Sequence, residues 1–260
     1  MNEINPEWIQ NRIENFFGYG NLNSPIWFIG IEEGFRVRDR YQNGIDLLKL
    51  RFERTYNQNS IDVVGGMEGV SDHLKWYQNA TEIQDTYKRL IQILLQWRGQ
   101  PIDDSSVLGV FNDNVNGLGR INSDNAILEL LPLPNPDLGQ WIYEEYAEGD
   151  LDFLRDRKTY QKSVRKERVE GLKRLVQEYE PEVIVFYSRS YVNEAKKLIE
   201  NPVLHNEEDT ELYYHFSSGK THLFVTPHPT HRYKLKTGRV PDDNDWTTIR
   251  NAIVDVLNNN

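Results

Sequence analysis

The 260-residue chain contains no cysteine. Disulfides, thiolate metal centres, thiolate-held iron–sulfur clusters and a cysteine nucleophile are therefore excluded. Long apolar runs are missing too. Stretches such as Ala126–Leu133 and Pro181–Tyr187 fall far short of the roughly 18 residues that a membrane span needs. Met1–Pro6 lacks the basic start and apolar stretch of a secretory leader, which predicts a cytoplasmic protein with no membrane partner. The glycine-rich segments GYGNLN and GGMEG have neither GxGxxG context nor a P-loop Lys-Ser/Thr, so a nucleotide or flavin module is disfavoured. Ser188 and Ser190 lack the G-x-S-x-G elbow of a serine hydrolase and read as helix caps. No cofactor is expected.

Acidic residues outnumber basic ones, 40 against 30, for a formal net charge of -10. Taken over the whole chain, that balance argues against a nucleic-acid partner. The charge is segregated, however. Arg36–Arg54, Arg155–Arg168 and His228–Val240 carry six, seven and four Lys and Arg, and the last holds no acidic residue. Each run alone would read as a solvated face. Three in an acidic chain fit a phosphate-binding surface, because affinity for a backbone follows the local field.

Pro25–Ile31, Ala126–Leu131 and Pro181–Tyr187 are short apolar runs bounded by Pro or charge, the pattern of strands buried on both faces. Helical spacing marks Pro6–Phe17, Gly44–Arg54, Thr81–Trp97, Tyr160–Tyr179, Tyr191–Glu200 and Asp242–Leu257. Glu211–Phe216 and His222–Thr226 pair as a hairpin through Ser217-Ser218-Gly219. Gly18–Ser24 reads as a turn-rich break, Gly99–Asp124 as loop, and LPLPNP as the end of its strand. Strands alternating with helices predict one α/β domain, a three-layer α/β/α fold with a largely parallel central sheet. Its working edge lies beyond the strands' carboxyl ends, where the fold gathers Gly30–Gly34, Glu129–Leu133, Tyr187–Ser190 and Thr226–Thr230.

Those segments, in that order, resemble the motifs of the uracil-DNA glycosylase superfamily. IGIEEG matches the two glycine positions of its first motif and sets Glu32 at the water-activating position, while Glu33 replaces the family's proline, so that either carboxylate is a candidate. ELLPL matches the base-reading motif of the single-strand-selective branch, with Glu129 where that branch has Asn. His228-Pro229-Thr230 matches the His-Pro-Ser motif. The resemblance is scattered over Pro25–Arg239, and the region at about 35–125 aligns with nothing in the family and reads as a helical and loop insertion.

The resemblance implies a monofunctional DNA glycosylase, a monomer that flips a base from double- or single-stranded DNA and leaves an abasic site. Glu32 or Glu33 would stabilise the sugar cation and activate water, and His228 would donate to the departing base. Phe35 and Tyr41 are the nearest stacking candidates. His231, Arg232, Tyr233, Lys234, Lys236 and Arg239 would form the DNA-binding loop, with Tyr233 or Leu235 as wedge and Arg155–Arg168 extending the phosphate track. Glu129 departs from the family in an informative way. An ionised Glu only accepts, and cytosine offers an N4 amino donor. This predicts a cytosine-like base, modified because excising normal cytosine would be destructive, and hence defence against base-modified foreign DNA. Three alternatives stand beside it: excision of uracil, a glycosylase-like module that binds DNA without cutting, and a metal hydrolase. The last would use His228 and His231 with Glu32, Glu33 and Glu129, although Pro229 bars the His pair from mid-helix.

Overall fold

In the computed structural model, residues 4–34, 42–68, 75, 77–135, 141–206, 212–230, 234–235 and 238–259 are described. The three apolar runs become the strands β2 (Ile26–Gly34), β4 (Asn125–Asn135) and β5 (Val183–Phe186). Trp27, Phe28, Ile29, Leu128 and every residue of β5 are buried. The hairpin forms β7 (Tyr214–Ser218) and β8 (Thr221–Val225). Three short strands complete one eight-stranded sheet: β1 (Gly18–Gly20), β3 (Ser60–Ile61) and β6 (Val203–Leu204). The order is β3-β1-β4-β2-β5-β8-β7-β6, and its centre, β4-β2-β5-β8, is parallel throughout.

Helices cover both faces, giving the expected three-layer α/β/α fold. On one face lie α1 (Pro6–Asn15), α2 (Gln42–Thr55), α6 (Arg157–Tyr179) and α7 (Val192–Lys196), packed on Trp27, Ile29 and Ile184. On the other lie α3 (Val63–Met67), α4 (Asp85–Trp97), α5 (Asp104–Asn112) and α8 (Asp243–Asn259), packed on Phe28, Val185 and Phe224. The 35–125 region thus supplies α3, α4 and α5, most of one layer.

Four local expectations change. Gly18–Gly20 is not a break but β1, antiparallel to β4. Gly99–Asp124 is not all loop, because Asp103 caps α5 by accepting from Ser106 N–H. Pro132 and Pro134 do not end β4. Beyond Leu128 the strand has outrun β1, and its backbone there turns to other partners. Side chains take over there: Arg12 donates to the Pro132 carbonyl at 2.9 Å, Tyr143 to Pro134 at 2.8 Å. Finally, α7 is one short helix of five residues within the longer predicted span.

Candidate active site

The parallel strands β4, β2, β5 and β8 lie side by side, so the segments beyond or near their carboxyl ends share one edge, as the sequence predicts. Gly30 on β2 is in register with Glu129 on β4. On its other side, Tyr187 follows β5 and donates its N–H to the Ile29 carbonyl at 3.0 Å. With no side chain on Gly30, the two neighbours reach across β2, and Tyr187 Oη lies 3.5 Å from Glu129 Oε1. A Cβ on Gly30 would lie 2.4 Å from both Glu129 Oε2 and Tyr187 Oη. Glu129 Oε2 is buried and accepts no hydrogen bond among the described residues. Burial pushes the Glu129 carboxyl well above the usual range, and the nearby charges of Glu33 and Glu32 add to the shift. Burial also raises Tyr187, reinforced by Glu129, so the phenol keeps its proton and donates. The raised value favours the protonated carboxyl, which donates as well as accepts, whereas the ionised form only accepts.

The consecutive carboxylates Glu32 and Glu33 have different surroundings. The β2–β4 register shifts between Glu32 and Gly34, which breaks strict alternation at the strand end. Glu33 is 6 % exposed and sits between Arg51, which is fully buried, and Arg12 at 3.3 Å. Tyr19 Oη donates to it at 3.0 Å. Arg12 is itself fixed by Thr55 at 2.7 Å and the Pro132 carbonyl. This network ties β1, β2, α1 and α2 together, and a carboxylate so fully engaged has a structural role. Among the described residues Glu32 has one side-chain partner, Arg157 at the start of α6, whose side chain is 20 % exposed. Its Oε1 is buried with no hydrogen bond among the described residues. Burial raises the Glu32 carboxyl above its ordinary value, against the opposing hydrogen bond and charge of Arg157.

His228 stands three residues beyond β8, half-buried, its ring centroid 5.7 Å from that of Tyr187. Thr230 N–H donates to His228 Nδ1 at 3.3 Å, and Thr230 Oγ1 lies 3.2 Å from the same nitrogen. In the neutral ring an accepting Nδ1 puts the proton on Nε2. Thr230 Oγ1 is 3.5 Å from Thr86 Oγ1 near the start of α4, and Tyr87 is raised by burial and by Glu129. The layer built from the 35–125 region thus reaches the site.

Of the stacking and DNA-loop candidates, Phe35, Tyr41, His231, Arg232, Tyr233 and Lys236 lie outside the described residues. Lys234 is exposed. Leu235 is buried and hydrogen-bonded to the Arg239 carbonyl, which removes it as a wedge. Arg239 is matched by Asp245 at 2.8 Å and Asp242 at 3.7 Å, so its charge serves the start of α8 rather than a phosphate. In α6, Arg168 is buried and donates to the carbonyls of Leu130, Ile13 and Glu129 at 3.0–3.1 Å. It leaves the proposed phosphate track for the core. Lys158, Lys162 and Lys166, four residues apart on the same helix, are all exposed and form one stripe.

Sequence reasoning overlooked Arg157 and Tyr187 as site residues. Tyr187 was detectable as the polar-tipped residue that ends a buried strand. Arg157 was hidden within a basic run, because only the tertiary fold sets the α6 terminus beside β2. Comparison with protein-family models, curated proteins and solved structures finds no match to this chain.

Proposed function

We propose that the protein is a DNA glycosylase that hydrolyses the N-glycosidic bond of a flipped-out base. The observation that carries this reading is the convergence of Glu32, Glu129 and His228 on one sheet edge, with Glu129 and His228 both against Tyr187. As the bond to the base breaks, C1′ gains positive character and the base gains negative charge. Glu32 faces the first of these: its Oε1, unpaired among the described residues, orients a water molecule and takes its proton as oxygen bonds to C1′. Arg157 holds the carboxylate in place. His228 faces the second, its Nε2–H donating to a base oxygen as charge gathers there. The products are an abasic sugar and the free base.

Glu129 reads the base edge. The buried Oε2 beside Gly30 is an acceptor for an exocyclic amino group, and accepting from cytosine N4 is an established pairing for Glu. A cytosine-like base, modified so that host DNA is spared, is the first reading of the substrate, and defence against base-modified foreign DNA its natural setting. Uracil is the second. The raised Glu129 carboxyl favours it, since a protonated acid donates to O4 as the usual Asn amide does. The exposed lysine stripe of α6, beginning one residue after Arg157, is suited to the DNA backbone.

Oligonucleotides bearing uracil, cytosine, 5-substituted cytosines or hypoxanthine, incubated with the protein and then treated with alkali, test the reading. Strand cleavage at one of these bases supports it, and the base that reacts decides between the two substrates. Retained DNA binding without cleavage of any substrate would favour the non-catalytic module.

A further inference from the structure

The far edge of the sheet carries a second cluster of chemistry-bearing side chains, two on the adjacent strands β7 and β8 and one just past β6. In the β7–β8 ladder His215 faces Phe224 and Ser217 faces His222. Since alternate residues share a face, His215 and His222 are diagonal neighbours on the same side. His205, just past β6, donates its N–H to the His215 carbonyl at 2.9 Å, which continues the β6–β7 pairing and sets it opposite His215.

One ring nitrogen from each of the three histidines lies within 4.8 Å of the others. His215 Nε2 and His222 Nδ1 are 2.9 Å apart. Two nitrogens on one tetrahedral ion stand about 3.3 Å apart when each bond is about 2.0–2.1 Å. The inner pair is thus already at about ligand spacing, and the exposed His205 closes the remainder by rotating its side chain. The surroundings hold the ligands in place. Phe224 stacks on the His215 ring at 4.2 Å. Ser217 Oγ is 2.6 Å from His205 Nε2. The Asn206 side chain accepts from His215 N–H at 3.0 Å and donates to the Tyr213 carbonyl at 2.7 Å, pinning the end of β6 to β7.

We propose that His205, His215 and His222 bind one divalent transition-metal ion of the zinc type, clamping β6, β7 and β8. Three imidazoles with no carboxylate among them suit zinc, cobalt, nickel or copper rather than calcium or magnesium. A fourth position is left for water or another ligand. His222 is near the start of β8, whereas His228 lies beyond its end. The two histidines thus sit at opposite ends of β8, so this centre is distinct from the glycosidic site and does not depend on that reading.

The test is a titration of the metal-free full-length protein with cobalt(II) and zinc(II), followed by calorimetry and by visible absorption. One equivalent should bind with a micromolar or tighter Kd, and the cobalt form should show the intense bands of a four-coordinate site. Zinc at roughly one hundred times Kd should raise Tm by roughly 5 °C. His215→Ala and His222→Ala should each weaken binding by about 100-fold or more, beyond the loss typical of an outer-shell partner. His205→Gln, on the exposed ligand, should weaken it too and keeps the test open if the inner variants fold poorly. His228→Ala should leave the titration unchanged. No saturable binding below millimolar metal, or binding that survives His205→Gln and His222→Ala alike, would mean that the three rings only stack.

Discussion

Tyr187 donates to Glu129 across a strand to which neither belongs: β4 and β5 flank β2, and the two side chains meet over Gly30 at 3.5 Å. The contact exists because β2 presents a glycine at that register, and it makes Gly30 the most constrained small residue of the site. Gly30→Ala would drive a methyl into Glu129 and Tyr187. Overpacking of this kind should cost about 1–3 kcal/mol, read as a lower denaturation midpoint. Loss of activity should exceed what the stability change alone explains. A midpoint equal to that of the parent would mean that the two side chains have other room.

The neighbours Glu32 and Glu33 should separate by phenotype. Glu33→Gln leaves the fully buried Arg51 without its ion-pair partner. Breaking a buried pair from one side costs about 3–5 kcal/mol, visible by urea denaturation. Glu32→Gln should lose much less stability, because Arg157 reaches solvent. Equal losses from the two substitutions would contradict the structural role assigned to Glu33.

The raised Glu129 carboxyl makes stability depend on pH in a definite sense. The folded state holds this proton more tightly than the unfolded chain does. Stability from the group is therefore full below the ordinary carboxyl range and is lost as pH rises from there toward the raised folded value. Glu129→Gln removes this dependence. Denaturation midpoints at pH 5, 7 and 9 should fall more steeply for the parent than for the variant, while parallel curves would mean that Glu129 titrates as an ordinary carboxyl.

Within α6, charge and position should part company. Lys158→Gln, Lys162→Gln and Lys166→Gln together should weaken DNA binding and lower its salt slope by up to about three contacts' worth. Arg168→Met should destabilise the fold, since three carbonyls lose a donor, and leave the slope unchanged. A slope that follows Arg168 rather than the lysines would reverse this assignment.

What the sequence discloses follows from the range of the interactions involved. β2 and β5 are buried on both faces, so their apolar runs announce them, and the α6 and α8 stripes do the same at helical spacing. The short strands β1, β3 and β6 span two or three residues each, too few for any period to register. The continuation of β4 through its prolines depends on side-chain partners such as Arg12 and Tyr143, which composition does not disclose. The site divides similarly. Glu129 and Glu32 lie on recognisable strands and His228 follows one, so their gathering is predictable. The distinct surroundings of Glu32 and Glu33 are not, because Arg12, Tyr19, Arg51 and Arg157 come from four separate elements.

The central claim is that the strand-end site breaks a glycosidic bond with Glu32 as the water-activating group. Its most direct measurement is single-turnover release of free base from the oligonucleotide that the parent protein cleaves, compared for parent and Glu32→Gln alongside their DNA affinities. The account predicts that Glu32→Gln binds DNA within a few-fold of the parent yet releases base at least about 100-fold more slowly, a loss confined to the transition state. Release by Glu32→Gln at the parent's rate, with Glu33→Gln folded and inactive, would contradict it.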